Sequence, residues 1–398
     1  MMGITLQQVF RQHFDAVAAK RRLSSDMYRA AWAVRHCRTR ELGGHVNSCP
    51  VGHVCQVAYN SCMHRSCPQC AWLPREQWLA GWKRRLLPTP HHHIVFTVPH
   101  SLNELWRYNK VQFSKLLFDA AFETLHELLA DPKYLGAVPG ILAALHTWNQ
   151  KLDVHVHLHV LVTAGGLGPR KQWVKSQRKC LLPRKVLMIK FRGKFRAFLR
   201  ERVAKRLLRL PPQLSSAGFQ GLLQSVGSLP WNVKIHEAYL RGESVAIYLA
   251  RYIKGGPMGR ARLLEIRDGK VEFRYRLSAL EGGDGKRQGI AQLPVESFIR
   301  RWLEHVPPRR MQTVRGSGLY CGNQHSQLTT ARESLGLRPL EPLPQQRMTW
   351  QERCVASGYT AASRCKQCGA TLVSHSSFPA GRGPPRSAFR RRFPGQVA

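Results

Sequence analysis

The chain has 398 residues, of which 62 are lysine or arginine and 23 are aspartate or glutamate, so its formal net charge is +39. Such an excess of positive charge indicates a polyanionic partner, and nucleic acid is the first candidate. No apolar run approaches the ~18 residues of a spanning helix and no signal segment is recognisable, so we expect a cytoplasmic protein without membrane association. In that compartment, 11 cysteines favour metal thiolates over disulfides.

Residues 1–88 are expected to form a helical, cysteine-rich zinc-binding domain. Apolar spacing predicts helix in residues 1–36 and again in 75–87, where Pro88 ends the pattern. The six cysteines between these helices are Cys37, Cys49, Cys55, Cys62, Cys67 and Cys70. The short loop of Cys67-Pro68-Gln69-Cys70 places two thiolates on one tetrahedral Zn²⁺. The other two ligands are expected upstream, with Cys49 and either Cys55 or Cys62 as the best candidates.

Residues 89–310 alternate between strand and helix patterns and are expected to form an α+β catalytic domain. A buried strand is predicted at 93–98 and a long helical stretch at 103–130, and residues 140–148 lead into a histidine-rich strand. Residues 170–215 are basic and partly helical in pattern. The later predicted elements are a helix at 244–254 that ends at Gly255-Gly256-Pro257, a hairpin of 262–267 and 270–277 joined by Asp268-Gly269, and an amphipathic helix at 295–305.

Three histidines alternate with apolar residues within residues 153–166. A strand turns every second side chain to the same face, so His155, His157 and His159 share one face. Imidazole is the commonest metal-binding side chain, and such a row can hold a divalent cation. The alternative is an exposed histidine-rich face without a ligand. The apolar run that continues through Val162 argues for a central strand instead, where three unpaired imidazoles would cost free energy.

Tyr248 and Tyr252 are four residues apart on the predicted helix 244–254, so both phenols lie on one helix face. By itself such a pair is more often a packing feature. In a basic chain with a cation site, a phenol can attack phosphorus once the cation polarises the phosphodiester. The side chains predicted to hold phosphates beside the tyrosines are Arg251, Lys254 and Arg260. A longer track for the nucleic-acid backbone is predicted between 170 and 209, and it includes Arg184, Lys185, Arg192, Lys194 and Arg196.

The C-terminal part is divided into a region at 311–376 and a basic tail at 377–398. The region contains Cys365-Lys366-Gln367-Cys368-Gly369, a candidate second zinc knuckle that Cys321, Cys354 or His375 would complete. A loop with incidental thiols is the alternative. The tail is rich in Arg, Pro, Gly and Ser and is expected to be disordered until it meets an anion.

The order of these motifs resembles the IS91-type transposases, which are rolling-circle HUH enzymes, where U is a hydrophobic residue. The resemblance runs from about residue 20 to 320. The motifs that carry it are Asn60-Ser61-Cys62-x-x-Arg65-x-Cys67-Pro68-x-Cys70, Phe96-Thr97-Val98-Pro99, Leu145-His146-Thr147-Trp148, His155-x-His157-Leu158-His159 with Gly165-Gly166, and Tyr248-Leu249-Ala250-Arg251-Tyr252.

The resemblance implies a fold and a set of roles. The fold is an HUH core, a palm-like antiparallel sheet with flanking helices, beside a small zinc-binding domain for DNA recognition. The family's His-U-His pair binds the catalytic Mg²⁺ or Mn²⁺ and corresponds to His157 and His159 here. The family's paired tyrosine nucleophiles correspond to Tyr248 and Tyr252.

One feature of the chain differs from the family pattern, and a second matches the pattern in two ways. The first knuckle of the family is commonly Cys-x-x-Cys-Gly-His, whereas this chain has Cys49-Pro50-Val51-Gly52-His53, so Cys55 or His53 must substitute for the second thiol. Both His155-Val156-His157 and His157-Leu158-His159 satisfy His-U-His. The longer apolar run favours the second pair, with His155 as a third ligand or a supporting group.

The sequence therefore predicts a transposase that nicks and rejoins single-stranded transposon ends through a covalent 5′-phosphotyrosine. Its partners would be single-stranded DNA at those ends and target DNA, and host replication proteins are further candidates. We expect the enzyme to be associated with the nucleoid. One alternative is a plasmid rolling-circle replication initiator or relaxase with the same HUH chemistry. The others are a non-catalytic zinc-finger DNA-binding protein and a metal-dependent nuclease that only hydrolyses.

Overall fold

The computed structural model describes residues 3–53, 55–177, 181–240, 256–277, 287–340 and 364–382, together with Ile247 and Glu352. In these residues the helices are α1 (Leu6–Ala19), α2 (Ser25–His36), α3 (Trp72–Arg85), α4 (Asn103–Tyr108), α5 (Lys110–Ala130), α6 (Arg184–Ala204), α7 (Ser216–Ser228), α8 (Val295–Glu304) and α9 (His325–Ser334).

The strands in the same residues are β1 (Gly44–Ser48), β2 (Cys55–Tyr59), β3 (His91–Thr97), β4 (Val138–Trp148), β5 (Val154–Leu167), β6 (Trp173–Lys175), β7 (Val233–Ile235), β8 (Leu263–Arg267), β9 (Lys270–Arg276), β10 (Gln288–Pro294), β11 (Val314–Gly318) and β12 (Val373–Phe378). Short 3-10 turns occur at Arg40–Leu42, His100–Leu102 and Arg260–Arg262.

The predicted α+β architecture is confirmed, because helices accompany antiparallel sheets and an N-terminal cysteine cluster. The helices expected in 1–36, 75–87, 103–130 and 295–305 are present, and so is the hairpin of β8 and β9. The cysteine-rich stretch, which shows no clear periodicity, contains the β1–β2 hairpin. Of the predicted helix at 244–254, the structure describes only Ile247, which is helical, and both tyrosines lie outside the described residues.

Two compact units divide the chain. The first, here called the cysteine unit, comprises residues 1–78, 254–306 and 343–398, and the second, the sheet unit, comprises 79–253 and 307–342. Each unit combines segments that are distant in sequence. The domain boundaries at 88, 310 and 376 remain predictions.

The sheet unit is built on an antiparallel sheet of order β11-β4-β5-β3-β7, with β6 paired to β5. One face of β5 is apolar, and Val156, Leu158 and Val160 are buried there against side chains of α5 and α6. Phe113 of α5 and Phe195 of α6 belong to this core and are fully buried. Because strand side chains alternate, the histidines of β5 must occupy the opposite face.

A tight turn connects β4 to the histidine strand β5. The Asn149 side-chain oxygen accepts hydrogen bonds from the backbone N–H groups of Lys151 and Asp153 at 2.8 and 2.9 Å. Leu152 adopts φ +64° to close the turn. A one-residue change of register turns every side chain to the other face. The register of β4 and β5 shifts by one residue between His146 and Trp148, so the turn and this irregularity together determine which residues meet across the two strands.

The cysteine unit contains two three-stranded sheets of order β12-β1-β2 and β10-β9-β8. Helix α1 begins with a capping box in which the Thr5 side chain and Gln8 bond each other's backbone. The ring of Phe10 on α1 meets that of Trp302 on α8 at 5.0 Å, edge to face. Strand β12 pairs with β1 and ends at Phe378, so the strand extends two residues into the segment 377–398 that is assigned to the tail.

No helix within the described ranges is both long and apolar enough to cross a membrane.

Candidate functional site

Three imidazoles meet on the histidine face of the sheet. In the register of β4 and β5, His146 lies directly opposite His157, and Ala144 lies opposite His159. Small Ala144 leaves space where a larger side chain would compete with the imidazoles. The ring nitrogens of His146, His157 and His159 that could bind a metal all lie within 4.8 Å of one another.

Hydrogen bonds orient two of these rings. The Nδ1 atom of His157 lies 2.8 Å from the carbonyl oxygen of His155, so Nδ1 carries the proton and donates it, which leaves the Nε2 lone pair available. The Nε2 atoms of His157 and His159 are 3.1 Å apart. On its other side, His159 presents Nδ1 to the Nε2 atom of His93 at 2.8 Å.

Burial keeps these imidazoles neutral. It lowers the pKa of His157 to about 3, and the neighbouring His155 adds to the effect. Burial also holds the pKa of His146 and of His159 well below the usual value, and the electrostatic effect of the neighbouring histidines lowers the pKa of both further. At neutral pH the group therefore offers unprotonated nitrogen lone pairs, the form in which imidazole binds a metal.

The donor set fits a divalent cation. Two adjacent ligands of an octahedral ion with bonds of about 2.1–2.2 Å stand roughly 3 Å apart, close to the separation of the two Nε2 atoms. His157, His159 and His146 would hold such an ion, and His93 would orient His159 from behind.

The structure brings only some of the sequence-derived candidates into this group. His155 points elsewhere, with its Nδ1 atom 3.1 Å from Nε2 of His100. His146, which appears in the sequence only within the Leu145-His146-Thr147-Trp148 motif, takes the third position. Tyr248, Arg251, Tyr252 and Lys254 lie outside the described residues. Arg260 is exposed at the start of a 3-10 turn in the cysteine unit.

Strand β7 borders the histidine group and leads towards the tyrosine segment. Lys234 pairs with Val95, and its positive charge contributes, after burial, to the lowered pKa of His93. The His236 ring stacks on that of His93 with centroids 4.8 Å apart. The chain then bonds to β3 through His91 and Tyr239, whose backbone groups exchange hydrogen bonds of 2.9 and 2.8 Å. Tyr239 precedes Tyr248 by nine positions along the chain.

Several basic residues of the expected backbone track bond to the protein itself. The guanidinium groups of Arg184, Arg192 and Arg196 donate to the carbonyl oxygens of Val233, Leu229 and Leu223, respectively. The ammonium group of Lys194 pairs with Glu123 and Glu127 of α5. These contacts hold α6 against the neighbouring segments of the fold. The four side chains therefore have structural roles that the amino-acid sequence alone does not reveal.

A four-thiol group occupies the cysteine unit. It consists of Cys37, Cys62, Cys67 and Cys70, and the Sγ atoms of Cys62 and Cys70 are 3.5 Å apart. Hydrogen bonds from Cys62, Cys67 and Cys70 hold the pKa of Cys37 far below the usual range, while the pKa of Cys67 is raised because it donates to the others. Four neighbouring thiolates would repel one another, and Zn²⁺ is a cation that would stabilise them together.

The identity of the four thiols differs in part from the expected zinc ligands. Cys62, Cys67 and Cys70 are together, and the fourth thiol is Cys37, which the short spacing around the knuckle did not single out. Gln7 of α1 supports it by donating from its side chain to the Cys37 carbonyl oxygen at 2.9 Å. The Cys55 side chain lies outside the described residues. Cys49 belongs instead to a second group, with His53, Cys365 and Cys368.

Comparison with known proteins agrees with these features. Residues 140–327 match a family described as a putative transposase, and residues 9–98 match a transposase zinc-binding domain. The putative transposase y4qJ of Sinorhizobium fredii is 33% identical over 395 residues, which cover 96% of this chain and 98% of the relative.

The transposase for insertion sequence element IS801 of Pseudomonas savastanoi pv. phaseolicola is 28% identical over 337 residues, which cover 82% of this chain and 77% of the relative. No solved structure matches the chain. The matched domains and the full-length similarity confirm the resemblance drawn from the motifs, and the chain belongs to the IS91-type family of insertion-sequence transposases.

Proposed function

We propose that this transposase nicks and rejoins single-stranded DNA at transposon ends in rolling-circle transposition, through a covalent 5′-phosphotyrosine. The observation that supports this most directly is the close, buried group of His146, His157 and His159, whose burial lowers the pKa of each imidazole. Mg²⁺ or Mn²⁺ bound there would polarise a phosphodiester of the DNA. The strongly basic composition supplies the attraction for the polyanionic substrate.

Tyr248 and Tyr252 are the proposed nucleophiles. The phenolic oxygen of one attacks phosphorus, the P–O3′ bond breaks, and a free 3′-hydroxyl leaves while the 5′-phosphate stays on the tyrosine. The second tyrosine would take the other strand end when the cycle terminates. The same bond energy is retained in the phosphotyrosine, so rejoining needs no nucleotide. The backbone pairing of Tyr239 with His91 supports a short path from the histidine face to the tyrosine segment.

Other side chains have supporting roles in this proposal. Lys234 lies beside the histidine group and would hold a phosphate flanking the scissile one, together with Arg251 and Lys254. Arg260 would bind backbone phosphates elsewhere on the DNA. The four thiols of Cys37, Cys62, Cys67 and Cys70 would hold a structural Zn²⁺ that stabilises the recognition domain.

A covalent adduct assay tests the chemistry. The full chain is incubated with Mn²⁺ and with single-stranded DNA of a transposon end that is labelled at its 3′ terminus. Protein–DNA adducts that survive detergent are then separated by size. We expect an adduct with the wild type and with the control Tyr239→Phe, and none with the double variant Tyr248→Phe, Tyr252→Phe.

The other outcomes are equally informative. An adduct formed by the double variant would refute the assignment of the nucleophiles, and its loss in Tyr239→Phe alone would move the role to Tyr239. Cleavage that leaves a free 5′-phosphate and no adduct would indicate a hydrolytic nuclease instead. Single variants would show whether both tyrosines act.

A further inference from the structure

A second group of metal-binding side chains joins two distant parts of the chain. Cys49 and His53 follow β1, and Cys365 and Cys368 precede β12. The Sγ atoms of Cys49 and Cys368 are 3.3 Å apart, although 319 positions separate them. The Nδ1 atom of His53 lies 3.8 Å from Cys49 Sγ, and all four donor atoms lie within 4.8 Å of one another.

These separations fit one tetrahedral ion. Thiolates on a common Zn²⁺ with bonds of about 2.3 Å stand roughly 3.8 Å apart, and a thiolate and an imidazole stand about 3.6 Å apart. The closest pair of sulfur atoms is well beyond the ~2.05 Å of a disulfide bond. Three thiols and one imidazole make up a complete, closed ligand set of the kind that structural zinc sites use.

The turn at Cys365 has the local geometry of a zinc knuckle. The backbone N–H of Cys365 donates to the Ala370 carbonyl oxygen at 2.8 Å, and that of Gly369 donates to the Cys365 carbonyl oxygen at 2.9 Å. Gly369 adopts φ +73°, which a residue with a side chain rarely accepts. Backbone N–H groups of Cys368 and Gln367 hydrogen-bond to the Cys365 sulfur.

The turn that begins at Cys49 brings together the other two side chains of the group, Cys49 and His53. The backbone N–H of Gly52 donates to the Cys49 carbonyl oxygen at 2.9 Å, and Gly52 adopts φ +86°. This tight turn brings His53 back to the Cys49 sulfur. The chain lacks the second thiol of the usual knuckle here, and the imidazole of His53 stands in that place.

We propose that Cys49, His53, Cys365 and Cys368 bind a second Zn²⁺, which fastens the C-terminal segment 364–382 to the β1–β2 hairpin. The matched zinc-binding domain ends at residue 98, so it does not include the two thiols of this C-terminal knuckle. The pairing of β12 with β1 is antiparallel from Gly44 with Phe378 to Ser48 with Val373, so the ion would lie at the end of the sheet and hold β12 in register. The site is distinct from the four thiols that include Cys67 and Cys70.

Zinc content is the first test. The full chain is expressed with zinc, purified under reducing conditions and analysed by plasma mass spectrometry. We expect the double variant Cys365→Ser, Cys368→Ser to contain one zinc ion per chain fewer than the wild type. The control Cys321→Ser should match the wild type, and Cys368→His, which supplies a nitrogen donor in place of the thiol, should keep the ion. Equal zinc in the wild type and the double variant would overturn the proposal.

A second measurement keeps the test valid if the double variant folds poorly. The wild-type chain is loaded with Co²⁺ in place of zinc, and the absorption of the ligand field is compared with that of the single variant His53→Cys. We expect His53→Cys to keep two ions and to shift one set of bands towards a four-thiolate spectrum. An unchanged spectrum at equal cobalt content would exclude His53 as a ligand and overturn the proposed site.

Discussion

His93 on β3 presents its Nε2 atom to Nδ1 of His159 on β5 at 2.8 Å, so one imidazole fixes the orientation of another. With Nε2 of His159 turned to the cation site, its Nδ1 carries the proton and donates to His93. In the proposed cation site, His93 would therefore position His159 without touching the ion.

The variant His93→Ala should lower the affinity for Mn²⁺ by about 10-fold or more, because an unsupported His159 ring spends less time in the binding orientation. Titration calorimetry on the full chain measures this affinity, and circular dichroism verifies the fold. His100→Ala, which removes the partner of His155, serves as the matched control. Equal affinities in the wild type and His93→Ala would contradict the positioning role.

The third ligand can be identified by comparing two histidines. His146→Ala should weaken Mn²⁺ binding more than His155→Ala, because His146 lies with His157 and His159 whereas His155 is bonded to His100. Electron paramagnetic resonance of bound Mn²⁺ reports both the affinity and the coupling to ligand nitrogen. A larger loss in His155→Ala would return His155 to the role that the sequence left open for it.

Acid sensitivity should follow from a buried histidine away from the cation site. His91 accepts a hydrogen bond from the Tyr320 hydroxyl at 2.8 Å and donates to the Thr89 carbonyl oxygen at 2.7 Å. Burial lowers its pKa to about 4, against 6.5 in the unfolded chain. Between these values the unfolded state binds the additional proton, so the free energy of unfolding is highest above pH 6.5 and falls as the pH decreases towards 4.

His91 alone should contribute about 3 kcal/mol to this loss between pH 6.5 and 4. In the variant His91→Gln the free energy of unfolding should depend less steeply on pH, by roughly one proton, when measured by urea denaturation at several pH values. The exposed His325→Gln is the control. Identical slopes in the wild type and His91→Gln would mean that His91 takes up no additional proton on unfolding.

The assignment of Cys37 to the four-thiol group with Cys62, Cys67 and Cys70 can also be tested. Cys37→Ser should release zinc more readily and lower the melting temperature by roughly 5–10 °C, because a structural zinc site contributes to folding. Release is followed with a metal-sensitive dye, and melting by circular dichroism. If Cys55→Ser lost the ion while Cys37→Ser kept it, the ligand would be Cys55, one of the candidates that the sequence left open.

The residues of the proposed cation site are only partly predictable from the sequence, for reasons of strand geometry. Alternation of histidine with valine and leucine predicts β5 and its two faces, since a period of two is a local property. The contribution of His146 depends on the register between β4 and β5. That register is determined by the turn at 149–153 together with the register shift between His146 and Trp148, and nothing in the periodicity of either strand specifies it.

The zinc ligands illustrate the same limit over a longer distance. Proximity in sequence associates Cys49 with Cys67 and Cys70, and for Cys67 and Cys70 the short knuckle is sufficient to predict a shared site. Cys49 joins Cys365 and Cys368 instead, because β12 pairs with β1. Strand pairing between segments more than three hundred positions apart leaves no pattern in a single sequence.

The pairing of β12 with β1 also imposes an order on biosynthesis. During translation β1 emerges early and can pair with β2, but its other edge has no partner until residues 373–378 leave the ribosome. An open strand edge is a template for association with other chains. At about 5–20 residues per second, the nascent transposase would expose this edge for tens of seconds. Premature termination before β12 would leave the edge permanently open, so truncated products should be aggregation-prone and should depend on chaperones or be degraded.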